Sequence, residues 1–294
     1  MLALALALGS SLCWGCSDFI GGLQARRGAL LGVMLVSQSV GLAGLCVLIA
    51  ARGAGPPALS ALLPAAGAGI AGVAALSAFY RALAIGTMSI VAPISATGVA
   101  VPVIVGIAGG ERPAPLQIAG ILAASAGIVL ASREHETGSP GAGARRTSVV
   151  LALVAALGFG SFFVGLRIGA RADVLWALLV SRGTGIVALL AAALLSAALL
   201  SGGVAGRGSG GGVGGGVGLA PGPLVAMGIL DLAANGLYAV ATRHGLLSVV
   251  AVAASLYPLA TVVLARVLLG ERVRRAQELG IVAALTGVVL IAAG

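Results

Sequence analysis

The chain of 294 residues has no lysine, only eight Asp and Glu together, and aromatic residues at 3%. Charged residues reach 9%, whereas a soluble domain needs roughly 25% to cover its surface. That shortage excludes a globular domain facing water on all sides. Lipid must be the main solvent, in line with 60% hydrophobic residues and a mean hydropathy of +1.15. With almost no aqueous mass left over, length sets no domain count, and the unit is a single membrane domain. The few aromatics also bear on the charge. The net charge is +9, carried by seventeen Arg, and a pI near 11.2 in a soluble protein would suggest nucleic acid. Here the arginines stand singly or in pairs at the ends of apolar stretches, with neither the clustered stripe nor the aromatic platforms of a nucleic-acid groove. Lipid head groups are the better partner for them. Cysteine is scarce too. Cys13, Cys16 and Cys46 are odd in number and lie inside apolar stretches, which excludes a disulfide framework. Cys13-Trp14-Gly15-Cys16 fits C-x-x-C, but within a hydrophobic helix it reads as packing. His135 lies in a loop, His244 lies at a helix end, and H-E-x-x-H is absent, so neither a metal nor a cofactor is expected.

What the chain does have is long apolar runs. A spanning helix needs about 20 mostly apolar residues. Such stretches are Leu2–Leu23, Ala29–Ala51, Leu59–Tyr80, Met88–Gly109, Leu116–Ser132, Ser148–Ile168, Val174–Leu195, Pro223–Thr242, Leu246–Leu269 and Gln277–Ala293. The expected fold is therefore an all-α integral membrane protein of about ten transmembrane helices, multi-pass in the cell membrane. The first stretch has no charged leader and carries Trp14 and Asp18 past its apolar start, so it reads as a span and not a signal peptide. Two loops are longer than a turn. Residues 133–147 form a polar linker in mid-chain, and 201–221 are largely glycine. The glycine loop satisfies G-x-G-x-x-G in places, but no strand precedes it, so it reads as flexible linker.

The chain also repeats itself. Leu8 to Arg26 lines up with Leu153 to Arg171, pairing Trp14 with Phe159 and Gly15 with Gly160. Ser37-Gln38 answers Ser181-Arg182, Gly41 answers Gly185, and Gly86-Thr-Met-Ser89 answers Gly245-Leu-Leu-Ser248. The clearest match sets Gly110-Glu111-Arg112 against Gly270-Glu271-Arg272, followed by Gln117/Gln277, Gly120/Gly280 and Gly127/Gly287. Residues 1–132 and 148–294 are thus expected to be two five-helix repeats. Five is odd, so the second copy enters the membrane from the opposite side, which is the inverted-repeat plan of secondary transporters.

Trp14-Gly15-x-x-Asp18-Phe19, the doubled Gly-Glu-Arg, Ser255-Leu256-Tyr257-Pro258 and the Gly-rich last helix of each half together resemble the EamA-like branch of the drug/metabolite transporter superfamily. The resemblance covers essentially the whole chain. It implies a ten-helix inverted-repeat carrier with a central cavity, moving amino acids, other metabolites or drugs, commonly outward, with both termini inside. The chain departs from the family between helices two and three, where a basic stretch is usual and only Arg52 is present. Arginine counts point the other way on orientation. The odd-numbered loops hold Arg26, Arg27, Arg81, Arg133, Arg145, Arg146, Arg207, Arg272, Arg274 and Arg275, and the even ones only Arg52, Arg112, Arg167, Arg171 and Arg243. That excess favours odd loops inside and both termini outside.

A charge at the bilayer centre costs about 2.5–3.5 kcal/mol on insertion scales, so a mid-helix charge is a functional candidate. Asp231 lies near the middle of its stretch. Asn235, Tyr238 and Thr242 follow at helical spacing on one face, a stripe expected to line an aqueous cavity or, more plainly, to be a polar knot between helices. Arg182 lies inside the seventh stretch, where the first repeat has Gln38, and Gly72 roughly answers Asp231. Asp18 lies about 7–8 Å from the midplane of the first helix. Trp14 stands one turn before it, and a carboxylate beside an apolar ring is a candidate proton carrier. Interfacial pairing of Asp18 with Arg26 or Arg27 is the plain alternative. Pro93 and Pro102, with Ser95 and Thr97 between them, and Pro258 interrupt the fourth and ninth stretches, where either packing kinks or a binding site is expected. The candidate substrate- and ion-binding residues are therefore Asp231, Arg182, Asn235, Tyr238, Asp18, Trp14 and Gln38. The expected partners are a small-molecule substrate, protons as a candidate coupled ion, and the bilayer, with no nucleic acid. A membrane-embedded enzyme would need paired His, G-x-S-x-G or a carboxylate motif, and none is present. A non-transporting scaffold leaves the buried charges unexplained.

Overall fold

A computed structural model describes residues 1–25, 30–85, 91, 94–131, 142–202, 221–269 and 275–294. Among them the regular structure is helical throughout. The helices are α1 (Leu2–Ala25), α2 (Leu30–Arg52), α3 (Leu59–Ile85), a 3₁₀ turn (Thr97–Val99) leading into α4 (Ala100–Ala108), α5 (Pro115–Ala131), α6 (Ala142–Ala170), α7 (Val174–Gly202), α8 (Pro221–His244), α9 (Leu247–Ala254), α10 (Tyr257–Leu269) and α11 (Arg275–Ala293).

Seven of these are long and apolar enough to cross a membrane, where the sequence led us to expect about ten. Three shorter apolar stretches remain, Ile94–Ala108, Pro115–Ala131 and Leu247–Thr261. Two of the expected continuous helices are broken, each beside a proline. Pro258 has no N–H to donate to the Ala254 carbonyl, and α9 ends at Ala254. Ser255 and Leu256 form a turn before α10 begins at Tyr257, and Pro258 falls in the first turn of α10, where its missing N–H costs nothing. In the fourth stretch Pro102 withholds a bond from Gly98, and the Thr97 hydroxyl donates to the Ile94 carbonyl (2.6 Å), so the chain tightens to 3₁₀ over Thr97–Val99.

Packing between helices is reciprocal. α1 lies against α8 as α6 lies against α3, and α2 meets α8 as α7 meets α3. α1 also contacts α9 and α10, and α6 contacts the 3₁₀ turn and α4. α5 pairs with α11. In lipid there is no hydrophobic drive between helices, so close approach of small residues must hold them. The α5–α11 pair shows this most directly. A Cβ at Gly120 would stand 2.6 Å from the Gly287 carbonyl oxygen, and one at Gly127 would stand 2.6 Å from that of Gly280. The reverse holds at Gly287 and Gly280, with Ala124, Ala131 and Ala284 between. Hydroxyls join other pairs to backbone carbonyls: Ser10 to Ala234 (2.8 Å), Thr261 to Gly15 (3.2 Å) and Thr184 to Ala66 (3.0 Å).

Candidate functional site

Arg182 sits in the third turn of α7 and is buried, its side chain only 6% exposed. One guanidinium nitrogen, Nη2, donates to Asp231 Oδ2 of α8 at 2.5 Å. The other, Nη1, donates to Gln38 Oε1 of α2. Three helices thus converge on one cation, and the pairing answers the cost of placing it there. Its approach to α2 is possible because residue 41 is glycine. A Cβ at Gly41 would stand 2.6–3.0 Å from Nη1, Cζ and Nε of Arg182. Gly228 on α8 faces the Ser37 carbonyl of α2 just as closely, which keeps Asp231 and Gln38 within reach of one side chain. Asn235 donates to the backbone carbonyl of Asp231 (2.7 Å), one turn back on its own helix.

The four polar residues of the α8 stripe are not equally exposed. Tyr238 is fully buried, its hydroxyl donating to the Phe163 carbonyl (3.0 Å), and the buried Thr242 donates to the Ala239 carbonyl (2.8 Å). Both satisfy neighbouring backbone within the core. Only Asp231, with its side chain 24% exposed, remains open. The exposed residues Gly222, Val225, Ile229 and Ala233 line another side of α8, so Asp231 opens away from that apolar, lipid-facing stripe.

Trp14 is almost buried at the centre of an aromatic group. Its ring lies 5.5 Å from Phe163, 6.0 Å from Tyr238 and 6.2 Å from Tyr257, and Phe163 lies 4.8 Å from Tyr238. With so few aromatics in the chain, their gathering where α1, α6, α8 and α10 meet is a specific feature. Phe159, the repeat partner of Trp14, packs edge-on to Phe79 at 6.2 Å. Asp18 stands apart from the Arg182 group. It has no hydrogen bond or ion pair among the described residues, although the charge of Asp231 acts on it. It is exposed, on the helix face that it shares with the buried Ser11, Trp14 and Gly15. Arg26 and Arg27, its expected interfacial partners, lie outside the described residues, as do Pro93 and His135.

Gly41, Glu111 and Arg167 take roles in the structure that the sequence alone does not give them. Glu111 accepts four hydrogen bonds, with side-chain exposure of 9%. Its Oε1 accepts from Arg167 Nη1 (2.7 Å) and the Leu247 amide (2.6 Å), and its Oε2 accepts from the Ser248 amide (3.0 Å) and hydroxyl (2.8 Å). Burial would push this carboxyl up. The two backbone amides, the hydroxyl and Arg167 outweigh burial and hold it below the ordinary glutamate value. The signal in the sequence is the doubled Gly-Glu-Arg, which marks the repeat and carries no chemistry by itself.

Comparison with known proteins bears on the whole chain. The model of the EamA-like transporter family matches residues 146–293. A solved crystal structure, 18% identical, superposes with a TM-score of 0.74 over 98% of this chain and 95% of that one. At that identity it shows the fold alone, but it shows it for the first half as well as the second. No curated protein matches.

Proposed function

Because the chain belongs to the EamA-like transporter family, within the drug/metabolite transporter superfamily, we propose that it exports a small polar or amphipathic metabolite across the cell membrane by alternating access. It has no enzymatic role in this reading. The observation that carries the reading is Arg182, held within the membrane by Asp231 and Gln38 from two other helices. Such a cation is costly unless its partners are present, and the same partners can exchange their bonds for those of an incoming charged group.

Ten spanning helices in two inverted halves, 1–132 and 148–294, complete the proposal. Reciprocal packing supports it, because exchanging the helices of one half for their counterparts reproduces the main contacts, α1 with α8 for α6 with α3 and α2 with α8 for α7 with α3. Substrate would enter between the halves. Arg182, Asp231 and Gln38 would bind its charged group, and Asn235 would hold the α8 backbone beside it. Trp14 would offer an apolar ring and Tyr238 would brace that ring from behind. Asp18, one turn from Trp14 on the same face of α1, would carry the coupled proton.

Reconstitution into proteoliposomes tests this. Asp231→Asn and Arg182→Gln should each abolish uptake of labelled candidate metabolites while the protein still inserts. Leaving one partner of a buried pair alone costs about 3–5 kcal/mol, so each variant should also be less stable. The double variant should recover stability more than transport. Asp18→Asn should leave counterflow intact and remove the response to a pH gradient. Normal transport by both single variants at Asp231 and Arg182 would put the binding site elsewhere.

A further inference from the structure

The Glu111 network joins the two halves, and its construction begins in the sequence. α4 ends in a Schellman motif. Gly110 has φ of 93°, its amide donates to Ile107, and the Glu111 amide donates to Gly106. This left-handed turn, which glycine adopts without strain, brings the Glu111 side chain back over the end of α4. Gly106 leaves room for it there, since a Cβ at that position would overlap the carboxylate. From there the carboxylate reaches into the second half.

The receiving groups are the first two amides of α9. Leu246, the residue before α9, supplies no side-chain cap. A helix start leaves amides without partners and carries a positive end, so a carboxylate is the fitting partner. Here that cap is supplied by another element, Glu111 of the first half. Arg167 of α6 completes the carboxylate's partners. Two further ties join the halves beside it. Arg52 at the end of α2 pairs with Asp173 before α7 (2.7 Å), and Trp176 of α7 donates to the Ala54 carbonyl (3.2 Å). The chain termini lie on the same face. Gly294 abuts Leu116 and Gln117 at the start of α5, and Ala3 abuts Gly245.

We propose that Glu111 is a latch: while its carboxylate caps α9, the two halves are locked together on the face that carries the termini, and the molecule is closed there. The proposal rests on the alternating-access reading above, because only a carrier needs this face to open. Opening requires α9 to leave Glu111, and the turn at Ser255-Leu256 gives α9 a joint about which to move relative to α10. The Arg52–Asp173 pair is more exposed, with side chains 36% and 21% accessible, and so assists the closure without controlling it.

The test reads conformation, not transport. Spin labels are placed on Arg112→Cys and Arg243→Cys, exposed residues of the first and second halves on this face, in a protein with Cys13, Cys16 and Cys46 replaced by Ala. The distance between them is measured by electron spin resonance in proteoliposomes without substrate. The latch predicts one short distance in the parent protein. In Glu111→Gln a second, longer distance should appear, with its population raised about tenfold or more, as expected for losing a charge-assisted hydrogen bond. Arg52→Gln should shift it far less. If Glu111→Gln does not fold, Ser248→Ala and Arg167→Gln, each removing one bond, should show the same second distance at lower population. An unchanged single distance in the folded variants overturns the latch, whatever happens to their melting temperature. Loss of transport in Arg182→Gln would leave these distances unaffected, so the two readings fail separately.

Discussion

At Gly41 it is the missing side chain that lets Arg182 reach across to Gln38. Gly41→Ala should displace the guanidinium and destabilise the fold by about 1–3 kcal/mol, the usual effect of overpacking a filled site. Transport should fall with it, through Arg182 and not through any contact of residue 41 with substrate. Gly32→Ala is the matched control. It lies on the same helix with nothing within 4 Å of its added carbon, and it should be neutral or stabilising by about 0.5–1 kcal/mol. Thermal unfolding in detergent and uptake in proteoliposomes check both. Equal effects at the two positions would mean that α2 tolerates no alanine as such.

Among whole elements, the α5–α11 pair depends on four glycines that face one another's backbone. At Gly127 and Gly280 the nearest neighbours in the way are all main-chain atoms, which cannot rotate aside. Gly127→Val or Gly280→Val should therefore separate these helices and lower the melting temperature, while leaving the Arg182–Asp231 bond in place. The repeat match sets Gly120 against Gly280 and Gly127 against Gly287, whereas in the interface Gly120 meets Gly287 and Gly127 meets Gly280. That they meet in one interface was not legible, because a repeat alignment relates positions without saying whether they touch. The broken ninth helix was legible only in part. Pro258 announced an interruption, but the end of α9 at Ala254 follows from the bond the proline cannot make, four residues earlier.

For the molecule as a whole, Glu111 and Asp173 make closure and stability depend on pH. Asp173 would be raised by burial, but the Trp176 amide, Arg52 and the Leu175 amide outweigh it and hold it below the ordinary aspartate value. A carboxyl whose folded pKa is depressed adds stability that is fully present above its unfolded pKa and is lost as pH falls through the folded one. Stability should thus be level from neutrality down to about pH 5, then decline below the ordinary carboxyl values of about 4. In Glu111→Gln the decline should be shallower, which pH-dependent unfolding checks directly. Orientation is a separate matter at this scale. A reporter active only in the cytoplasm, fused to Gly294, should stay silent if the arginine count decides, and its signal would hand the decision to the family topology.

Composition and long apolar runs determined by themselves that this is a multi-pass helical membrane protein, because a chain with 9% charge cannot be solvated any other way. Doubled motifs named the family, and the cost of charge in lipid singled out Arg182, Asp231 and Asp18 before any coordinates. Tertiary structure decided which of these meet. Arg182 found Asp231 and Gln38, whereas Asp18 has no hydrogen bond or ion pair among the described residues and Tyr238 turned into the core. It also gave Glu111 its role, since a loop glutamate becomes a helix cap only when a helix from the other half arrives beside it. Contacts between residues more than a hundred positions apart depend on how helices are arranged, and spacing along one helix carries no record of that arrangement.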